Sequence, residues 1–321
     1  MKRLTTAAAC LLLAGAAHAQ AQSWPTKPIH LVEPAGPGSA VDVFARQYGP
    51  LLADILGQPV IIDNRPGANS AIGACEVARS PADGYTLLHG NINNSLNDLI
   101  TKDTHCRLNE ALIPVARLTV TPLVMVINPG VKAKDLKAYL ALAKAQPQLL
   151  TFASGGRGAI TQLLGEKIKT TAGITVREIP YKAIGAELPD LLAGHVDTAY
   201  LSPVVVRQHI TAGKLRAMGV ASNRRLKIIP DVPTLAEAGL PGVEASGWNG
   251  IFVPAGTPRA IIDRLAAETA KILASPAIKN DSIAQGYEVD AAGPEAYAAY
   301  IRAEIAKWGG VIRDSHLDLE Q

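Results

Sequence analysis

Short apolar runs alternate with longer segments of helical periodicity along most of the chain. In the first third, apolar runs at Ile29–Val32, Val60–Ile62 and Tyr85–Leu88 predict strands, and the segments between them, Val41–Leu56 and Ser70–Arg79, predict helices. A strand-helix-strand-helix-strand order is typical of an α/β unit with parallel strands. The pattern therefore predicts an α/β fold.

The middle of the chain repeats this alternation. Its predicted elements are strands at Pro122–Ile127, Leu149–Ala153, Val176–Ile179 and Thr198–Leu201, with helices at Asp135–Ala145 and Ala159–Thr171. A second small sheet follows from these elements.

The last part of the chain holds one more strand and two long amphipathic helices. The strand is predicted at Ser246–Pro254 and the helices at Pro258–Ala274 and Pro294–Ser315. In the last helix, apolar side chains recur at helical spacing and predict a stripe buried in the core. They are Tyr297, Ile301, Ile305, Trp308 and Ile312.

Chain length predicts two lobes. Apolar residues make up 48% of the chain, and about 300 residues exceed the size at which one core keeps growing. We predict a first lobe over 23–121, a second over 122–245, and a return to the first over 246–321. Two mainly parallel sheets flanked by helices then meet at a hinge of two crossovers.

The N-terminus predicts export. Lys2 and Arg3 precede the apolar or small segment Leu4–Ala17, and Ala17–Ala19 fits a small-x-small cleavage site, so residues 1–19 are predicted to be a signal peptide. Cys10 offers a lipoprotein alternative, which we disfavour because few apolar residues precede it. We expect a periplasmic protein.

Charge argues against polyanionic partners. The chain has 31 basic and 28 acidic residues, and loss of Lys2 and Arg3 leaves 29 against 28. A near-neutral protein lacks the positive field that nucleic acid or anionic membrane requires. We expect a monomer that binds a small molecule and no nucleic acid.

Two cysteines remain after cleavage, Cys75 and Cys106. In an oxidising compartment they are able to pair, but the sequence does not place their Cα atoms within the ~7 Å that a disulfide requires. We favour two separate buried thiols. The absence of a spaced Cys/His cluster predicts no metal site and no cofactor.

Two glycine-rich loops, each between a strand and a helix, carry the candidate chemistry. Such a turn directs backbone N–H groups outward at the positive end of a helix dipole, and glycine lets an anion approach them. Ser39 and Asp42 have the spacing of a capping box that makes the first loop rigid. Arg157 is suited to bidentate contact with a carboxylate. The loops comprise Gly36, Pro37, Gly38, Ser39 and Ala40, and Ser154, Gly155, Gly156, Arg157, Gly158 and Thr161.

Enzymatic function is disfavoured. Gly36-x-Gly38 after a strand suggests a dinucleotide fingerprint, but Val41 replaces its third glycine, and a nicotinamide cofactor is not expected outside the cytoplasm. Sequence motifs for serine hydrolases, zinc proteases and P-loop enzymes are also absent. The two glycine-rich loops lie in the two predicted lobes, which favours one anionic ligand held between the lobes.

Several further stretches bear on the family of this chain. They are Pro59–Gly67, Ser80–Leu88, Pro180–Lys182, Asp190–Asp197, Ala212–Arg216, Pro230–Gly242 and Pro254–Pro258. Together with the glycine-rich loops, they resemble the Bug-type periplasmic receptors of tripartite tricarboxylate transporters. The resemblance implies a two-lobed type II periplasmic binding protein fold that closes on a small organic carboxylate. It also implies delivery to a large and a small integral membrane subunit; a receptor that presents its ligand to a signalling protein is the alternative.

Departures from the family pattern bear on the ligand. Ser39, Ala40 and Val41 replace a glycine run and Thr, and Ala159 replaces a Ser. Leu201 follows Tyr200 where many members carry an Asp that faces the ligand, which disfavours amino acids and favours a dicarboxylate or an aromatic carboxylate. With the loop residues above, the predicted binding residues are Asn91, Tyr200 and Leu201.

Overall fold

The structure, a computed structural model, describes residues 24–100, 106–182, 186–315 and 317. The predicted signal peptide, residues 1–19, lies outside this range. No helix among the described residues is long and apolar enough to cross a membrane.

Six strands form the first sheet, in the order β11-β4-β10-β3-β1-β2. β1 pairs in parallel with β2 and β3, whereas β10 runs antiparallel to both β3 and β4. The strands are β1 (Ile29–Glu33), β2 (Val60–Asn64), β3 (Thr86–Asn91), β4 (Leu112–Pro122), β10 (Ser246–Pro254) and β11 (Val289–Ala292).

Five strands form the second sheet, in the order β7-β6-β8-β5-β9. β6 is parallel to β7 and β8, and β5 is antiparallel to β8 and β9. The strands are β5 (Val124–Ile127), β6 (Thr151–Ser154), β7 (Arg177–Pro180), β8 (Thr198–Leu201) and β9 (Arg216–Val220).

Helices flank both sheets. Ser39 and Asp135 begin two of them by accepting a first-turn N–H on the side chain, and Gly57 and Gly173 end two in the left-handed conformation. In the described residues the helices are α1 (Ala40–Leu56), α2 (Ala71–Ala78), α3 (Ile92–Ile100), α4 (Leu108–Ala111), α5 (Leu136–Ala145), α6 (Ile160–Ala172), α7 (Glu187–Ala193), α8 (Pro203–Thr211), α9 (Arg259–Ala274), α10 (Pro276–Gln285) and α11 (Pro294–Asp314).

The α/β fold with two sheets is confirmed, but the sheets are mixed rather than mainly parallel. Strands β1, β3 and β4 end at the boundary between the sheets, so β10, which begins there at Ser246, must run the opposite way. Likewise β5 begins at the boundary, where Val124 pairs with Leu201 and Val220 at the ends of β8 and β9. Each strand that enters a sheet from the boundary is therefore antiparallel to its neighbours.

Backbone hydrogen bonds join the segments that cross between the sheets. The Leu123 N–H donates to Ala245 O at 3.0 Å, and the Ala245 N–H donates to Ala221 O at 2.9 Å. The Ala221 N–H closes the set with a bond of 2.8 Å to Leu123 O. The chain thus passes from the first sheet to the second at Leu123 and returns at Ala245.

The apolar stripe of α11 lies in the core, as predicted. Tyr297, Ile301 and Trp308 are buried, and Ile305 and Ile312 pack partly buried against them. Their cluster includes side chains from both sheets, so the core is continuous across the boundary.

The expectation of separate thiols is wrong. Cys75 and Cys106 form a disulfide with Cα atoms 5.9 Å apart. Cys75 lies in α2 and Cys106 just before α4, and the fold packs these helices together. The sequence shows that two thiols are present, but only the tertiary fold shows that they lie close enough to pair.

Candidate functional site

A cavity of about 100 Å³ lies between the two sheets. It sits at the carboxyl ends of β3, β4 and β8, the edge where open α/β sheets bind ligands. Its lining residues are Ala40, Val41, Asn91, Ile92, Asn93, Thr119, Thr121, Leu123, Gly155, Ile160, Thr161, Glu187, Tyr200, Leu201, Ser202, Gly247, Trp248, Asn249 and Tyr287.

Asp42 holds the first glycine-rich loop in place. The Gly38 N–H donates to Asp42 Oδ2 at 2.9 Å, and the Asp42 N–H donates to Ser39 Oγ at 3.3 Å. Burial favours a raised pKa for Asp42, but bonds from Arg46, Gly38 and Asn64 outweigh it and lower the pKa. The predicted capping role of Ser39 and Asp42 is confirmed.

Only the end of the first loop reaches the cavity. Ala40 and Val41 line it at the first turn of α1, where N–H groups have no intrahelical acceptor. The amides of Gly38 and Ser39 instead donate to Asp42 Oδ2 and to Gly36 O. The candidate anion contact in this loop therefore lies at Ala40 and Val41.

The second glycine-rich loop is tied to its own side chains. Gly155 donates to Thr161 Oγ1 at 2.8 Å, Gly156 to Ser154 Oγ at 3.1 Å, and Gly158 to Gln162 Oε1 at 2.7 Å. Because Gly155 and Thr161 line the cavity, these bonds fix the shape of its wall.

Asn93 connects the two lobes across the cavity. Its Oδ1 accepts the Ile160 N–H, from the first turn of α6, at 3.0 Å. Its own N–H donates to Asn91 Oδ1 at 3.0 Å, and Asn91 Nδ2 donates to Ser70 Oγ at 3.2 Å. Asn91 therefore positions the residue that links the lobes.

Among the described residues, these cavity atoms are buried polar atoms without a hydrogen-bond partner: Asn93 Nδ2, Thr119 Oγ1, Thr121 Oγ1 and Trp248 Nε1. Buried polar groups are nearly always paired, so their concentration around a cavity indicates ligand or water contacts. Sequence reasoning missed all four. The run of three asparagines around Ile92, directly after a buried strand, was the available signal.

Glu187 also lines the cavity and is only 2% exposed to solvent. Amino-acid ligands were disfavoured because Leu201 stands where many family members carry an acid. In the structure, Glu187 at the start of α7 supplies a carboxylate to the same cavity.

A wider cleft of about 650 Å³ adjoins the cavity at Gly155. Arg157 and Lys182 lie on its second-sheet side, and the disulfide between Cys75 and Cys106 lies on its other wall. Arg157 therefore faces the approach to the cavity rather than the cavity itself.

The structure thus separates the predicted site residues into three groups. Ala40, Asn91, Gly155, Thr161, Tyr200 and Leu201 line the cavity. Gly155, Gly156 and Arg157 line the adjoining cleft. Gly36, Pro37, Gly38, Ser39, Ser154 and Gly158 line neither. Their roles as ligand contacts stay predictions.

A buried hydrogen-bonded pair, Glu33 and His89, supports the cavity from behind. Glu33 and His89 are fully buried, and His89 Nε2 lies 3.2 Å from Asn249 Oδ1 on the cavity wall. Burial raises the pKa of Glu33, and the neighbouring His89 only partly offsets this. Within the described residues, no group of three or more His, Cys, Asp or Glu side chains could hold a metal ion.

The chain matches known proteins over nearly its full length. Residues 44–317 match the family described as "Tripartite tricarboxylate transporter family receptor". Protein BugT from Bordetella pertussis is 36% identical over 307 residues, covering 95% of this chain and 94% of the relative.

Two solved structures with bound carboxylates have the same fold. Rpa4515 of R. palustris with adipate has a TM-score of 0.88 at 28% identity, covering 91% of this chain and 98% of that one. MatC (Rpa3494) from Rhodopseudomonas palustris with bound malate has a TM-score of 0.84 at 28% identity, covering 90% and 100%.

Proposed function

This chain belongs to the tripartite tricarboxylate transporter receptor family, whose members are periplasmic solute-binding proteins, and on that premise we propose that it captures an organic carboxylate in the periplasm. The two classes that the sequence favours are dicarboxylates and aromatic carboxylates. The adipate and malate bound to two structural neighbours support the proposal that the ligand is a carboxylate.

The observation that carries the proposal is the cavity between the sheets. Its wall combines apolar side chains with uncharged polar groups and one carboxylate, that of Glu187, and a mainly apolar wall with a few polar groups is typical of sites for small organic ligands. Both lobes contribute to the wall, so a ligand that contacts both favours the closed form.

The proposed partners are the large and small integral subunits of a tripartite tricarboxylate transporter. The receptor supplies affinity, and the membrane subunits supply the energy for uptake. We expect the mature chain to deliver its ligand as a monomer. Deletion of the neighbouring transporter genes, followed by uptake of the identified carboxylate, tests this partnership: unchanged uptake favours a sensing role.

A thermal-shift screen of the mature protein tests carboxylate binding. A ligand that binds only the folded state raises Tm, by the equivalent of about 2.7 kcal/mol at a hundred times its Kd. We expect carboxylates to raise Tm and the corresponding primary amides, as matched controls, to leave it unchanged. A panel in which no mono- or dicarboxylate raises Tm would contradict the proposal.

A further inference from the structure

We propose that the cavity selects a small monocarboxylate that also bears a hydroxyl or amino group, and that Glu187 accepts a hydrogen bond from that group. This inference rests on the proposed function and specifies its ligand class. It assigns a carboxylate subsite to the first lobe and a selectivity residue to the second.

The charge of the cavity wall argues against a second carboxylate. Among the described residues that line it there is no Lys, Arg or His, and Glu187 is the charged side chain. Two like charges in a water-poor site repel strongly because the effective dielectric constant is low. A dicarboxylate would place its second charge in this cavity with no cation to balance it.

The carboxylate subsite consists of uncharged donors on the first sheet and α3. The Ile160 N–H bonds to Asn93 Oδ1, which fixes the orientation of the side-chain amide and leaves its Nδ2 group for a ligand. Thr119 and Thr121 add hydroxyl groups from β4, and in the part of the chain that the structure describes these also lack partners. Neutral donors are sufficient for one carboxylate when several converge.

Trp248 supplies a further donor that packing holds still. Its ring lies 5.5 Å from that of Tyr297 and 6.2 Å from that of Tyr300, both edge-on, while its Nε1 atom has no partner among the described residues. An indole N–H only donates, so it suits an anion and not a cation. Because Trp248 pairs with Val120 between β10 and β4, its side chain approaches the cavity from the sheet face opposite Thr119 and Thr121.

The size of the cavity limits the ligand further. With a volume of about 100 Å³ and apolar walls that include Ile92, Ile160 and Leu201, this cavity favours a compact ligand. A short aliphatic body with one polar substituent satisfies both the walls and Glu187.

Calorimetric titration with four compounds of nearly equal size tests the inference. They are 2-hydroxy-3-methylbutanoate, valine, 3-methylbutanoate and methylsuccinate. We expect the hydroxy acid or valine to bind at least tenfold more tightly than 3-methylbutanoate, and methylsuccinate to bind most weakly. The stronger of the first two identifies the donor as hydroxyl or amino.

Glu187→Gln tests the role of the carboxylate. We expect the variant to lose at least tenfold in affinity for valine and to gain affinity for methylsuccinate, while the hydroxy acid changes less because an amide oxygen still accepts its bond. Methylsuccinate as the best ligand of the native protein, or an unchanged ranking in Glu187→Gln, overturns the inference and leaves the proposed function standing. No binding by any carboxylate overturns both.

Matched variants test the first-lobe subsite. Asn93→Asp keeps an acceptor for Ile160 and removes the donor, and Trp248→Phe removes only the indole N–H; each is expected to weaken binding at least fivefold. Trp308→Phe removes an indole N–H that donates to Glu304 outside the cavity and is the control. Equal affinities for all three variants and the native protein would overturn the subsite.

Discussion

His89 Nδ1 lies 2.6 Å from Glu33 Oε2, and neither side chain is exposed. The same carboxylate accepts the Ala35 N–H at 3.1 Å, at the start of the first glycine-rich loop. The buried Glu33–His89 contact thus connects this loop to Asn249 on the cavity wall.

Removal of the imidazole leaves the buried Glu33 carboxyl group without its side-chain hydrogen-bond partner. We expect His89→Leu to lower the free energy of unfolding by roughly 1–3 kcal/mol, the cost of an unsatisfied buried polar group. Urea denaturation measures this. Lys27→Ala, which breaks the exposed pair with Asp83, is the control and should cost less than about 1 kcal/mol. Similar losses in both variants would show that the buried pair has no special weight.

Asp42 makes stability depend on pH in the acid range. Its pKa in the folded protein lies below the ordinary value of about 3.9, so its stabilising contribution is present above that pH and is lost as the pH falls through the lower folded pKa. We expect Asp42→Asn to cost roughly 1–2 kcal/mol at pH 6. Unfolding measured from pH 6 to pH 2.5 should show the difference shrinking below pH 4; a constant difference contradicts this assignment.

The disulfide between Cys75 and Cys106 closes a loop with a sequence separation of 31. In the chain-entropy account, a loop of this length contributes roughly 3–4 kcal/mol by restricting the unfolded chain. We expect the double Cys→Ser variant to lose that amount in urea denaturation. The native protein with reductant is the internal comparison, and a loss below 1 kcal/mol in both would contradict the expectation.

Arg157 is expected to act on the association rate. It lies with Lys182 in the cleft outside the cavity, where positive charge attracts an anion before contact. Arg157→Ala should slow ligand association two- to tenfold at low salt and much less at 0.5 M salt, as measured by stopped-flow fluorescence. The exposed Lys214→Ala is the control. A change confined to the dissociation rate would instead place Arg157 in direct contact with bound ligand.

Gly158 in the second loop lies close to Ile100 of the first lobe. Its φ is 69°, and a Cβ there would clash with the side chain of Ile100 on α3. In small-angle scattering, saturating ligand should reduce the radius of gyration of the native protein, and Gly158→Ala should resist this compaction. Gly173→Ala, with a φ of 60° and open space around it, matches the backbone strain without the clash. No compaction of the native protein would contradict a hinge.

Hydrophobic periodicity predicted the α/β class, the two sheets and the buried stripe of α11. It placed one strand at Pro122–Ile127 where two strands meet at Leu123, because Pro114 and Arg117 interrupt the alternation in β4. Hydrophobic periodicity detects strands whose buried side chains are apolar. In β4, polar side chains that line the cavity take some of these positions, and this weakens the signal.

The candidate site was harder to predict. Glycine-rich loops have a local signature, so Ala40, Gly155 and Thr161 were found. Glu187, Thr119 and Trp248 converge from α7, β4 and β10, and only the tertiary fold brings them together. The same holds for the disulfide, whose pairing depends on the packing of α2 against α4.

The hydrogen bond from the Ile160 N–H to Asn93 spans the two lobes, so it must break whenever the lobes separate around the cavity. A ligand that leaves by this separation waits for a whole-lobe motion, which in proteins takes microseconds to milliseconds. The residence time of such a ligand depends on how often the lobes part. A protein that grips both lobes can therefore set the moment of release without touching the ligand.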